Sequence, residues 1–230
     1  MHKSTGTPIP SDRRTTSSVH KLGVLALLVI CSVALGQAGS KESQKFLSAS
    51  ENSRESLSDA RSQLQSTLNY YNSLILAEAD NPQSAYKAFT KALDRTEKIA
   101  AKTRDQVEKM QSQADKVFNE WQEELEGYQS DSMRQLGAER LKVSKQRYEQ
   151  MIGRMGEAGE AYDPLISSLR DQVLFMGRDL SAEALGTLTP MADEVNRMAE
   201  DLYARIAVVL EEQVQDEALV TAESAATPTT

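Results

Sequence analysis

Apolar positions in the central part of the chain recur in alternating steps of three and four. One series runs Tyr86, Phe89, Leu93, Thr96, Ala100, Thr103, Val107, Met110, Ala114, Val117 and Trp121. A second runs Leu141, Ser144, Tyr148, Met151, Met155, Ala158, Tyr162, Leu165 and Leu169. Their mean step is the roughly 3.5-residue period of a left-handed coiled coil. Thr96, Thr103 and Ser144 are polar members of the series and are expected to weaken the seams. Less regular stripes flank the two series: Leu57, Ala60, Leu64, Leu68 and Tyr71 before them, Val195, Met198, Leu202, Ile206 and Val209 after.

Capping signals divide the pattern into helices. Asn81-Pro82 supplies an N-cap followed by proline at the first helical position, predicting a helix from Pro82 to about Gly127. Ser132 with Gln135 three residues on predicts a capping-box start for a helix reaching about Gly177. Ser181 is placed to cap a short helix through Leu188, and Thr189-Pro190 opens a last one. The first helix is expected over Phe46–Ala79. Residues 37–45 read as a polar linker and 219–230, ending in Thr-Pro-Thr-Thr, as a disordered tail.

The predicted fold is all-α: an elongated antiparallel helical bundle over 46–218, built on a coiled-coil hairpin with two shorter flanking helices. At about 46 residues each, the two long helices should span roughly 70 Å, and the flanking helices, about 34 and 28 residues, should fall short of the hairpin tip. The short link between the long helices makes them antiparallel. Setting Phe89 on Leu169, Leu93 on Leu165, Val107 on Met151, Met110 on Tyr148 and Val117 on Leu141 aligns the seams. That register puts Trp121 opposite Gly137, large against small; a shift of one heptad also fits. Asp94–Lys98, Asp105–Lys109 and Asp201–Arg205 have the supportive i,i+4 order on the outer faces.

Composition narrows the chemistry. Both histidines, His2 and His20, and the single cysteine, Cys31, lie in the first 31 residues. Residues 1–21 are polar with four basic residues (Lys3, Arg13, Arg14, Lys21), followed by fourteen uncharged residues, Leu22–Leu35, and small residues through Ala34-Leu35-Gly36-Gln37-Ala38. A basic start, a short apolar core and a small-residue exit describe a secretory signal peptide over 1–36, with cleavage after Gly36 or Ala38. An uncleaved anchor through residues 22–35, or lipidation at Cys31, is the lesser alternative, since Ile30 precedes Cys31 where a small residue is required. A mature chain has no His and no Cys, which excludes His- and Cys-based nucleophilic catalysis and zinc or haem ligation by those residues. Residues 1–36 hold four basic residues and one acidic one, so their removal takes the net charge from −8 to −11. An acidic chain is a poor partner for nucleic acid.

Three local features remain. Gly153, Gly156 and Gly159, followed by Pro164, mark a candidate hinge, or a smooth strip for close approach of another helix. Trp121, Tyr128 and Met133 form a candidate interaction tip. Two acidic groups, Glu120/Glu123/Glu124/Glu126 and Glu211/Glu212/Asp216/Glu217, read as solvated faces, because hard-cation sites need a loop or converging helices. No cofactor or metal site is expected.

KVFNEWQEELEGY (116–128), SMRQLGAERLKVSKQRYEQMI (132–152) and YDPLISSLRDQVLFM (162–176) resemble the bacterial family DUF2959. The matching positions are Glu120, Trp121, Glu124, Leu125 and Tyr128, then Arg147, Tyr148, Met151 and Ile152, then Pro164 and Asp171–Phe175. The resemblance implies a helical protein of the cell envelope, often lipoprotein-like, and no known activity. The sequence departs from the family pattern at Ile30-Cys31, which is not a lipobox, and lacks its H-K-R-D-I-L-like stretch. The expected function is that of an exported, non-enzymatic scaffold or adaptor of the periplasm or cell envelope. It would contact protein partners, or further copies of itself, through helix–helix packing. The rival readings are an intracellular coiled-coil accessory to DNA machinery and a carboxylate-dependent enzyme.

Overall fold

The structure, a computed structural model, describes residues 41–76 and 80–225; the segment read as a signal peptide lies outside them. Five helices follow in order: α1 (Lys41–Ile75), α2 (Pro82–Glu126), α3 (Asp131–Met176), the short α4 (Ala182–Gly186) and α5 (Thr189–Ala225). The described residues contain no strand. The expected caps are present at two starts. Asn81 Oδ1 accepts from Ser84 N at 3.0 Å, and Ser181 Oγ accepts from Ala184 N at 3.2 Å.

Four boundaries differ from expectation. α1 begins at Lys41, inside the stretch read as a linker, because Glu42 and Lys45 pair at 2.6 Å and Ser43 is already buried. It ends at Ile75, before the expected Ala79. α3 begins at Asp131 after Ser130, with no side-chain cap, so the capping box at Ser132 does not form; the Ser130 and Ser132 hydroxyls bond each other at 2.8 Å instead. α5 is helical to Ala225, through much of the expected tail, since nothing before Pro228 breaks the run of helix formers.

The four long helices alternate in direction. α1 meets α2 antiparallel through Ser56–Thr103 and Thr67–Thr96. α3 meets α2 through Arg170–Glu97 and Arg104–Asp163. α5 closes the ring against α1 and α3, through a reciprocal Asn72–Asn196 amide pair at 3.0 and 3.1 Å and Arg205–Glu157 at 3.8 Å. α1 and α3 therefore run parallel across a diagonal. Leu185 and Leu188, in and just after α4, plug the end of the bundle where α1 stops and α5 starts.

The closest backbone packing is between α1 and α2, not within the expected α2–α3 hairpin. The cause is residue size. Ser50, Ser53 and Ser56 on α1 and Ala92, Thr96, Ala100 and Thr103 on α2 are all buried, and small side chains let helix axes approach. Between α2 and α3 stand Phe89, Met110, Phe118, Trp121, Tyr148 and Tyr162, which hold the axes apart. Thr96 and Thr103 thus do not weaken a seam. Their hydroxyls bond Thr67 Oγ1 at 2.8 Å and Ser56 Oγ at 2.9 Å, and each also donates back to its own helix.

Apolar packing falls into three groups along the axis. The largest joins α1, α2, α3 and α5 around Tyr71, Phe89, Leu93, Leu165, Leu169 and Val195. A second collects Phe46, Met110, Ala114 and Val117, with Phe118 and Tyr148 against it. The third, at the hairpin tip, is Trp121, Leu125 and Leu141.

Candidate functional site

The tip extends past α1. Phe46, in the second turn of α1, packs at the level of Met110–Val117, so α2 continues roughly 14 Å beyond Val117 to Glu126. Trp121 is 8% exposed and closes the seam with Leu125 and Leu141. Tyr128 and Met133, by contrast, are 41% and 49% exposed, beside Leu136 at 56%. The three residues singled out in the sequence therefore divide into one structural residue and two surface ones. Leu136, expected from the sequence to rest in the tip seam with Val117, Trp121, Leu125 and Leu141, lies at the surface instead, outside the packed group of Trp121, Leu125 and Leu141. Arg134 ties the turn, donating to Tyr128 O at 2.7 Å and to Asp131 Oδ1 at 3.0 Å.

The tip also corrects the register. A Cβ on Gly137 would lie 2.5 Å from Leu125 Cδ2 and 3.6 Å from Tyr128 Cε2, with no Trp121 atom within 4 Å. Leu141 packs with Trp121 and Leu125. Contacts are thus displaced by about one turn from the expected pairs. Helical side chains lean toward their own N-terminus. In an antiparallel pair both leans displace the contact in the same sense, so side-chain partners differ from backbone-level partners.

The glycine strip does not serve close helix approach. A Cβ built on Gly153, Gly156 or Gly159 meets nothing within 4 Å. α3 is helical throughout, including the exposed Pro164, although the proline lacks the N–H that would bond Glu160 O. Gly156 and Gly159 instead form part of the wall of a cavity of about 380 Å³. All four long helices line it, with Leu57 and Leu64 from α1, Val107 from α2, Ile152 and Met155 from α3 and Ile206 from α5. It lies between the first and second apolar groups and explains why they are separate. Arg104, Glu108 and Gln111 of α2 and Tyr162 of α3 supply its polar margin. Heptad reasoning missed this space, because it treats every seam position as filled.

The charged groups are engaged across helices. Arg170 forks onto Glu97, with Nε to Oε1 at 2.7 Å and Nη2 to Oε2 at 2.6 Å, and also reaches Asp94 Oδ1 at 2.7 Å. Asp94, expected to pair with Lys98 on its own helix, is used to join α2 to α3. Asp201–Arg205 forms as expected at 2.8 Å. Arg104 bonds Asp163 at 2.7 Å and stands 5.4 Å from the Tyr162 ring centre. Burial raises the phenols of Tyr71, Tyr148, Tyr162 and Tyr203 to about 12. Asp94 and Glu97 sit together, but one guanidinium holds both, which is not the arrangement of a general acid facing a general base. Glu123, Glu124, Glu126 and Glu211 are exposed, while the side chains of Glu212, Asp216 and Glu217 lie outside the described residues. Among the described residues no group of three or more His, Cys, Asp or Glu is placed to hold a metal ion, and no helix is long and apolar enough to cross a membrane.

No curated protein and no solved structure matches the chain. A match over residues 33–218, covering the whole bundle from α1 into α5, shows that the chain belongs to DUF2959, a family described as proteins of unknown function.

Proposed function

We propose that the protein is an exported, non-enzymatic component of the cell envelope that acts as a scaffold or adaptor, docking a protein partner on its hairpin tip. The observation that carries this reading is the projecting tip. Trp121, Leu125 and Leu141 pack together in its seam while Tyr128, Met133 and Leu136 are left at the surface. Aromatic and methionine side chains are enriched among the anchors of protein interfaces. The signal-like segment at 1–36 supports export, and the confinement of His and Cys to the first 31 residues supports a non-catalytic role.

A photo-crosslinking residue placed at Met133 in cells tests the tip, with Leu174, 71% exposed at the far end of the bundle, as control. The expected result is a discrete adduct from Met133, identified by mass spectrometry, that is lost on Tyr128→Ser and Leu136→Ser and absent from the control. Equal labelling from both positions, or none, overturns the docking reading. N-terminal sequencing from the envelope fraction tests export: a start at Gln37 or Gly39 supports it, and an intact Met1 in the cytosol defeats it.

A further inference from the structure

The cavity between the two apolar groups has the shape of a binding site for a particular class of ligand. Its wall on α2 runs from Thr96 to Gln111 and on α3 from Ile152 to Tyr162, roughly 22 Å and 15 Å along the helix axes. A volume of about 380 Å³ spread over that length makes the space long and narrow, and an extended polymethylene chain matches that shape.

The chemistry of the wall agrees with the shape. Its central hydroxyls, Thr96 and Thr103, already bond Thr67 and Ser56, so they ask nothing of a guest. The remaining central surface is aliphatic, and ligand sites of this kind combine an apolar body with a few polar groups at one edge. Those groups are Arg104, Glu108 and Gln111, with Arg104 and Glu108 exposed. One cation, itself bonded to Asp163, and one anion share the margin, so it sets no strong charge requirement on a head group held in solvent. Gly156, exposed at the rim, and the half-buried Gly159 line the space without side chains of their own, and a Cβ at either meets no neighbouring atom within 4 Å. Gly153, on the same helix, is equally uncrowded but is not part of the wall.

We infer that this cavity binds the hydrocarbon chain of a single-chain amphiphile, a fatty acid or a monoacyl lipid, with its head at the α2–α3 margin. The inference does not depend on the tip docking a partner.

Calorimetric titration of the full chain with decanoic, dodecanoic, tetradecanoic and hexadecanoic acids below their micellar concentrations tests it. A parallel series of monoacyl phosphocholines distinguishes the free acid from a lipid as the source. One site per chain is expected in at least one series, tightening about fourfold per added methylene and levelling off once the cavity is full. Gly156→Leu and Gly159→Leu should each weaken binding at least tenfold without lowering the melting temperature, because leucine fills empty space and favours helix. Gly153→Leu, with the same gain in helix propensity, should bind as the parent does. Absence of binding in both series overturns the inference. So does affinity that rises without a plateau, or binding that the two cavity-filling variants leave intact, which would place the chain elsewhere, for instance on residues 22–35.

Discussion

The Tyr71 hydroxyl donates to Gln172 Oε1 at 2.5 Å across the centre of the bundle, joining the diagonal helices α1 and α3. Tyr71 is fully buried and Gln172 is 4% exposed. A buried amide carbonyl needs a donor, and Tyr71 is the one it has from another helix. Tyr71→Phe should therefore destabilise the fold by about 1–3 kcal/mol, the cost of leaving a buried acceptor unpaired. Combining it with Gln172→Met should recover much of that loss, since the two partners are then removed together. Denaturant titration of the single and double variants measures the coupling, and strictly additive effects would contradict it.

Ser53 tests the small-residue seam. It is fully buried in α1, and its hydroxyl has no hydrogen-bond partner among the described residues. Ser53→Ala should thus be neutral or stabilising by up to about 1 kcal/mol, from removal of an unsatisfied hydroxyl and a better helix former. Ser53→Leu should cost about 1–3 kcal/mol by forcing α1 from α2. Thermal melts of the two variants should move in opposite directions or not at all for alanine; a tolerated leucine would mean that the helices do not approach closely there.

Gly137 tests the tip. The nearest atom to an added Cβ is the end of the Leu125 side chain, which can turn aside, so Gly137→Ala should be close to neutral once its gain in helix propensity is counted. Gly137→Leu should overpack the seam by about 1–3 kcal/mol. Faster hydrogen exchange confined to residues near Trp121 and Leu141 is the expected signature. Unchanged exchange there would refute the contact.

Alkaline titration tests the buried phenols. Burial raises Tyr71, Tyr148, Tyr162 and Tyr203 from 10.0 to about 12. The folded state then holds these protons more tightly than the unfolded chain. Their stabilisation is fully present below pH 10 and is lost as pH rises through about 12. Circular dichroism should show helix loss beginning above pH 10 and steepening toward 12. Phe at Tyr148, Tyr162 and Tyr203 together should move the onset upward, and an unmoved onset would assign alkaline unfolding to other groups.

Much of this architecture was legible in the amino-acid sequence. The 3.5-residue period marks long helices, Asn81-Pro82 and Ser181 mark two starts, and the short link before Asp131 makes the hairpin antiparallel. All three signals are local: side-chain periodicity, capping and chain connectivity need only neighbouring residues. The family was legible too, in the run from Lys116 to Met176. The start of α3 was harder: Ser132 with Gln135 reads as a capping box, but the helix begins at Asp131 and the Ser132 hydroxyl bonds that of Ser130.

What tertiary structure alone decided is which faces meet and what is left empty. Thr96 and Thr103 read as flaws in an apolar seam until Thr67 and Ser56 arrive from another helix to bond them. Asp94 looks like the partner of Lys98 until Arg170 approaches from α3. The glycines of α3 are ambiguous along the chain, since a missing side chain serves equally for close contact or for open space. Their role is set by what the other three helices place opposite. Periodicity reports which side of a helix faces inward; the distance to the facing helix depends on the sizes of both partners, and that sum exists only in the assembled bundle.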